Sequence, residues 1–178
     1  MLAVGFTNRN ISELVELGVL EKIAHGRYWM VHTETHKRKD YKAVEVGMVN
    51  PEAIICTDSA CYYHGLIDVE PEILSIATKR TDRHKMEMNF RVKRHYFSEK
   101  TFDEDYSIRT TNQGNYKIYN VERSVCDCIR FRDDIEKDIF ELVIYNYKKR
   151  EEKQLERLKA YARRMRVEKK VEDVLYGK

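Results

Sequence analysis

The apolar residues of this chain change their spacing near Val121, and this change constrains the fold more than any other feature of the sequence. Before it, short apolar runs such as Ala53–Cys56 are bounded by turn residues, which is typical of strands. After it, Val125, Cys128 and Ile129 recur at helical spacing, and three further helical stretches follow. Strands followed by helices predict an α+β fold, in which a mixed α/β domain ends in a helical, bundle-like segment.

The same signals place individual elements along the chain. They predict strands at residues 73–78, 90–97, 106–111 and 116–120, and helices at 41–49 and 59–64. Asp58 is expected to cap the helix at 59–64. Asp133 and Glu136 have the spacing of a capping box between the first two helices after Val121.

The first 31 residues form a separate pattern. Thr7 is expected to cap a helix that runs to Leu17, and Gly18 is a natural stop for it. Two short extended arms then flank the His25-Gly26 turn, which predicts a hairpin. A helix followed by a hairpin is the second half of a winged helix, so residues 1–31 are predicted to be a partial winged-helix element, a recognition helix plus a wing. Residues 32–40 are polar and aperiodic and are the predicted linker to a second unit at 40–178.

This element carries the candidate DNA contacts. Residues near the start of a recognition helix reach base edges in the major groove, and cations in a wing contact phosphates. The candidates for base contact are Thr7, Asn8, Arg9 and Asn10, and those for phosphate contact are Lys22, His25, Arg27 and Tyr28. A complete winged helix has two helices before the recognition helix. Only six residues precede Thr7, so we expect these two helices to be missing.

Basic residues are concentrated at the C-terminal end. From Lys148 to Lys178 there are 12 Lys and Arg against 6 Asp and Glu. A basic end favours a polyanionic or acidic partner, and a solvated helix face is the alternative. The candidate partner-binding residues are Lys148, Lys149, Arg150, Arg157, Arg163, Arg164 and Arg166.

No constellation of catalytic residues is found, so we predict a non-enzyme without a cofactor or metal. The sequence has no Gly-rich phosphate loop, no Gly-x-Ser-x-Gly elbow and no His-Glu-x-x-His motif. The four cysteines have spacings unlike zinc knuckles and are expected to be free thiols in a cytoplasmic protein. No apolar run is long enough to span a membrane. The alternative is a diverged metal-dependent nuclease that uses Asp103, Asp105 or Glu122.

Three stretches, in order, resemble the AbiEi family of abortive-infection antitoxins. Residues 14–28 are similar to the family's helix and wing. Residues 51–66 resemble its P-x-A-x-x-x-x-x-S-A-x-x-x-H-G-L segment. Residues 119–132 resemble its ERT-V-x-D helix and are followed, as in relatives, by a stretch similar to residues 158–168.

The resemblance implies a two-part protein of a bacterial toxin–antitoxin system for phage defence. Its N-terminal winged helix would bind operator DNA and repress its own promoter, and its C-terminal part would counter a nucleotidyltransferase-like toxin. The missing helices leave open the alternative of toxin neutralisation without autoregulation, and a DNA-binding regulator without a toxin is a further alternative. Within the third stretch, Arg123 and Asp127 lie four residues apart on one helix, which predicts a structural ion pair.

Overall fold

The chain opens with a helix and a hairpin in the computed structural model, which describes residues 5–31 and 39–177. These elements are α1 (Asn8–Glu16), β1 (Leu20–Ala24) and β2 (Arg27–Met30). Thr7 caps α1: its Oγ1 accepts a hydrogen bond from the Asn10 amide at 3.2 Å, and the Asn10 side chain accepts one from the Thr7 amide. Gly18 follows the helix at φ +69, a conformation that glycine adopts without strain.

Side-chain hydrogen bonds connect the hairpin to residues beyond it. Trp29 Nε1 donates to Glu45 Oε1 at 2.7 Å, and Asn89 Nδ2 donates to the Lys22 carbonyl at 3.0 Å. Glu45 is buried, so the first bond reaches the interior of the following unit. Residues 32–38 of the predicted linker lie outside the described residues.

The second sheet has five strands in the order β5-β4-β3-β7-β6. They are β3 (Ile54–Ile55), β4 (Leu74–Lys79), β5 (Val92–Phe97), β6 (Tyr106–Thr110) and β7 (Asn115–Tyr119). The β4–β5 and β3–β7 pairs are parallel, whereas the β3–β4 and β6–β7 pairs are antiparallel. The sheet is therefore mixed, and β5 and β6 are its edges.

Alternate residues of the central strands belong to two apolar clusters. Ile55, Ile76 and Ile118 stand level in the strand register and join the larger cluster, which includes side chains from α2, α3 and α5–α8. Ile54 and Ala77 join a smaller cluster. This division follows from the strand itself, because successive side chains point to opposite faces of a sheet.

Helices dominate the second half of the chain, so the predicted α+β class is confirmed. The helices of the second unit are α2 (Tyr41–Val49), α3 (Thr57–Tyr63), α4 (Glu99–Phe102), α5 (Val121–Arg130), α6 (Lys137–Lys149), α7 (Leu155–Met165) and α8 (Glu168–Tyr176). Helix α5 begins at Val121, where the apolar spacing changes. Among the described residues, no helix is long and apolar enough to cross a membrane.

Two predicted helix caps were wrong. Helix α3 begins at Thr57, one residue before Asp58, and Asp58 Oδ1 accepts hydrogen bonds within the first turn, from the Ser59 amide and the Thr57 hydroxyl. Asp133 lies in a short 3-10 turn, and α6 starts after Glu136 without a side-chain cap. Helix α3 therefore begins earlier than the capping pattern indicates, and α6 begins later.

Candidate interaction surfaces

His64, within residues 51–66, connects the end of α3 to two strands. Its Nε2 lies 2.7 Å from the Tyr119 carbonyl, and its Nδ1 lies 3.0 Å from Arg109 Nη2. Because arginine only donates, Nδ1 accepts, and Nε2 therefore carries the proton and donates to Tyr119. Burial lowers the pKa of His64, which favours this neutral form.

Arg123 and Asp127 form an ion pair that is fully buried. Arg123 Nε donates to Asp127 Oδ2 at 3.0 Å, in agreement with the four-residue spacing, and neither side chain is exposed. The Arg123 guanidinium lies 4.5 Å from the centroid of the Tyr119 ring and 5.2 Å from that of Phe97. The faces of these two rings attract the Arg123 guanidinium at a buried position where it has few hydrogen-bond acceptors. Burial raises the pKa of Asp127, and the attraction of Arg123 opposes this shift.

Hydrogen bonds connect the start of α5 to α7 and to the residue before it. Asn120 caps α5 through an Oδ1 that accepts from the Arg123 amide at 2.9 Å, and its Nδ2 donates to the Tyr161 hydroxyl at 2.8 Å. Glu122 Oε1 accepts from the Gln154 amide at 3.1 Å, just before α7. We call His64, Asn120, Glu122, Arg123 and Asp127 together the motif junction. Glu122, Arg123 and Asp127 are buried and therefore closed to a partner, although Arg123 Nη1 and Nη2 and Asp127 Oδ1 have no hydrogen-bond partner among the described residues.

The basic C-terminal end is partly neutralised by an acidic loop. Arg157 Nη2 lies 2.7 Å from Asp105 Oδ1, and Arg164 Nη1 lies 2.7 Å from Glu104 Oε2. Partial burial tends to raise the pKa of Asp105. Hydrogen bonds from Tyr161 and Arg157 outweigh this effect, so the pKa is lowered. Both acids lie outside residues 148–178, so the charge of that segment overstates the positive charge of the surface.

The other candidate cations differ in how they are held. Arg163 pairs with Glu168 at 2.9 Å, Arg150 pairs with Glu152 at 3.3 Å, and Lys149 contacts the Tyr145 hydroxyl. Lys148 and Arg166 are exposed, and the structure shows no ion pair for either within residues 39–177. Contact of these seven residues with a toxin stays a prediction. Lys148, Lys149 and Arg166 are the ones that remain available without breaking an ion pair.

The carboxylates of the alternative nuclease site are also held by neighbours. Asp103 pairs with Lys79 at 2.8 Å, Asp105 with Arg157, and Glu122 accepts from Gln154. Among the residues that the structure describes, no group of three or more His, Cys, Asp or Glu could hold a metal ion. The four cysteines are free and buried.

The candidate DNA contacts divide into two groups. Thr7 and Asn10 bond to each other as the cap of α1, and this use competes with base contact. Asn8, Arg9, Lys22, His25 and Arg27 are exposed and Tyr28 is half-buried. Arg9 forms a solvent-exposed pair with Glu13 at 3.2 Å. The exposed cations of the hairpin are therefore free to approach a phosphate backbone.

Neither a scan against protein families nor a search of curated proteins finds a match for this sequence.

The arrangement of the motif junction was only partly predictable from the sequence. Arg109 reaches the motif junction from β6, an edge strand, and the sequence gives no pairing order that would bring it there.

Proposed function

We propose that this chain is a cytoplasmic, non-catalytic antitoxin-like protein that counters a nucleotidyltransferase-type toxin in a bacterial phage-defence system. One observation carries the proposal: the second and third stretches that resemble AbiEi antitoxins, and the stretch that follows them, pack into one connected unit. His64 of the second stretch bonds to Tyr119 of the third, and Asn120 of the third bonds to Tyr161 near the C-terminus. A shared fold would require these stretches to adjoin, so their contacts support the proposal.

Two cationic patches are proposed to meet the toxin, one at the end of α6 and one at the end of α7. Lys148, Lys149 and Arg166 are exposed there and pair with no acid in the described part of the chain. A nucleotidyltransferase site is acidic where it binds its metal ions. A basic surface attracts such a site and blocks its access to a nucleic-acid substrate.

Co-expression with an adjacent nucleotidyltransferase-like gene tests this proposal through colony survival. We expect rescue by the wild-type chain and loss of rescue by Lys148→Glu/Lys149→Glu/Arg166→Glu. Arg157 and Arg164 are left unchanged, since reversing them would place two acids beside Asp105 and Glu104 and disturb the fold.

The matched control reverses three exposed cations elsewhere, as Arg80→Glu/Lys85→Glu/Lys100→Glu, so that the net charge changes equally. Rescue by the control and not by the first variant supports a specific surface. Equal rescue by both variants removes this surface from the proposal, and absence of rescue by the soluble wild-type chain removes the antitoxin function.

We propose DNA binding as a second activity, supported by the exposed cations of the α1–hairpin unit. Arg9, Lys22 and Arg27 would contact phosphates and steer the protein to operator DNA. Fluorescence anisotropy with the chain's own promoter DNA tests it. Because each neutralised phosphate releases counterions, Lys22→Ala/Arg27→Ala should reduce the slope of log affinity against log salt by about 2. An unchanged slope would argue against these contacts.

A further inference from the structure

One edge of the five-stranded sheet presents unused backbone hydrogen-bonding groups. Strand β5 is last in the strand order and pairs only with β4 among the described residues. The Leu74 amide donates to the Arg91 carbonyl at 3.0 Å, and the Arg80 amide donates to the Phe97 carbonyl at 3.3 Å. In a parallel pair these two bonds assign the odd-numbered residues of β5 to the ladder with β4. The amides and carbonyls that point away from the sheet are those of Val92, Arg94 and Tyr96.

An open groove lies beside this edge. It runs between residues 84–87 and the side chains of Val92, Arg94 and Tyr96. Tyr96 is 48% exposed, and Met86 is half-buried against the larger apolar cluster. Arg94 donates to the His84 carbonyl, which fixes one wall of the groove. A strand added at β5 would place alternate side chains in this groove, in contact with the Tyr96 ring.

The surroundings of the edge are basic. Three of the eight Lys and Arg of residues 79–100 pair with acids elsewhere in the chain: Lys79 with Asp103, Arg91 with Glu72 and Lys93 with Asp134. At the groove itself, Lys85 and Arg94 stand against one acid, Glu87. Arg83 and Lys85 are exposed on the segment beside the groove. This charge disfavours pairing with the same edge of a second copy, because like charges on facing strands repel. It favours a segment that carries acidic side chains.

We propose that the β5 edge binds an extended acidic segment of a partner protein, which joins the sheet as an additional strand. The outward groups of β5 include both amide donors and carbonyl acceptors. A peptide strand satisfies both kinds, whereas a nucleic-acid backbone offers phosphate acceptors alone. The groove then selects the side chains that alternate along the segment. This proposal stands on the sheet edge and does not depend on the antitoxin function.

Binding of a defined peptide tests the proposal. The probe is a terminally blocked, fluorescent peptide of alternating Glu and Val, about eight residues long to match a strand. We expect saturable binding in fluorescence anisotropy, with backbone amide shifts centred on Val92, Arg94 and Tyr96 in heteronuclear NMR. The same peptide is methylated on alternate nitrogens in each of the two registers. The peptide whose methyl groups face β5 should bind at least about tenfold more weakly than the other, because it alone loses the donors that face β5.

A variant of the edge provides the second measurement. In Tyr96→Pro the lost amide points away from β4, so the ladder inside the sheet is kept and only the outward donor is removed. Tyr96→Ala is the matched control, which removes the ring and keeps the donor. We expect Tyr96→Pro to bind the Glu/Val peptide about tenfold more weakly than Tyr96→Ala, with thermal unfolding unchanged between the two.

Three results would overturn the proposal. They are no saturable binding of the Glu/Val peptide up to about 1 mM, equal binding of the methylated peptides, and displacement of the peptide by an oligothymidylate that itself binds more tightly. The last result would make this edge a nucleic-acid surface. The methylated peptides are used with the wild-type chain, so they decide the question even where Tyr96→Pro does not fold.

Discussion

The motif junction and the α1–hairpin unit differ in how far their side chains are buried. In the junction, Arg123 and Asp127 are fully buried, and each polar side chain has a partner inside the protein. In the α1–hairpin unit no residue of α1 is buried, and Leu17 is 75% exposed. In the motif junction the residues hold the fold together. Where the chain is most exposed, the pattern is weakest and the capacity for contact is greatest.

The largest expected effect is on the buried ion pair. Asp127→Ala leaves the Arg123 guanidinium buried without its counter-charge, so we expect a loss of about 3–5 kcal/mol in the free energy of unfolding. Urea denaturation followed by circular dichroism measures it. The double variant Arg123→Met/Asp127→Leu removes both charges and should recover most of the loss. A loss below about 1 kcal/mol for Asp127→Ala would show that the junction does not depend on this pair.

The second effect is a dependence of the free energy of unfolding on pH, which is caused by His95. Burial lowers the pKa of His95 to about 4, against an ordinary value of 6.5. Below about pH 6.5 the unfolded chain gains a proton here that the folded protein does not, so stability falls as the pH drops. The loss reaches about 3 kcal/mol near pH 4 and then levels off.

His95→Phe removes this titration and keeps a ring against Phe131, whose centroid is 4.5 Å from that of His95. Urea denaturation of the wild type and the variant at pH 7, 5.5 and 4.5 gives the difference in stability. The difference should shift in favour of the variant as the pH falls. A difference that is independent of pH would mean that His95 titrates alike in the folded and unfolded chains.

A smaller effect concerns the connection between the two regions. Trp29→Phe keeps an aromatic ring and removes the hydrogen bond to Glu45. We expect a loss of about 1–2 kcal/mol, confined to the hairpin, which hydrogen exchange detects as faster exchange in β1 and β2. Amides of α5 should keep their protection, and equal loss in α5 would show that the two regions unfold together.

The smallest effect is expected at the tip of the hairpin. Lys22→Ala and Arg27→Ala remove exposed cations, so the free energy of unfolding should change by less than about 0.5 kcal/mol. Thermal unfolding checks this expectation. A larger change at either position would show that the exposed surface contributes to the fold, against the contrast drawn between the two regions.

The sequence predicted local structure better than it predicted the arrangement of the sites. The cap at Thr7, the stop at Gly18 and the start of α5 at Val121 follow from short-range patterns, so they were visible in advance. The pairing of Arg157 and Arg164 with acids 52 and 60 residues away along the chain was not visible. Charge counted along a chain does not show which opposite charges fold against it. The edge position of β5 likewise depends on the strand order, which no local pattern encodes.

Colony survival on co-expression of the full chain with the adjacent nucleotidyltransferase-like gene tests the central claim most directly. The account predicts that the wild-type chain restores growth, that Lys148→Glu/Lys149→Glu/Arg166→Glu fails to do so, and that the charge-matched control retains rescue. Continued toxicity in the presence of soluble, folded wild-type protein would contradict the antitoxin function.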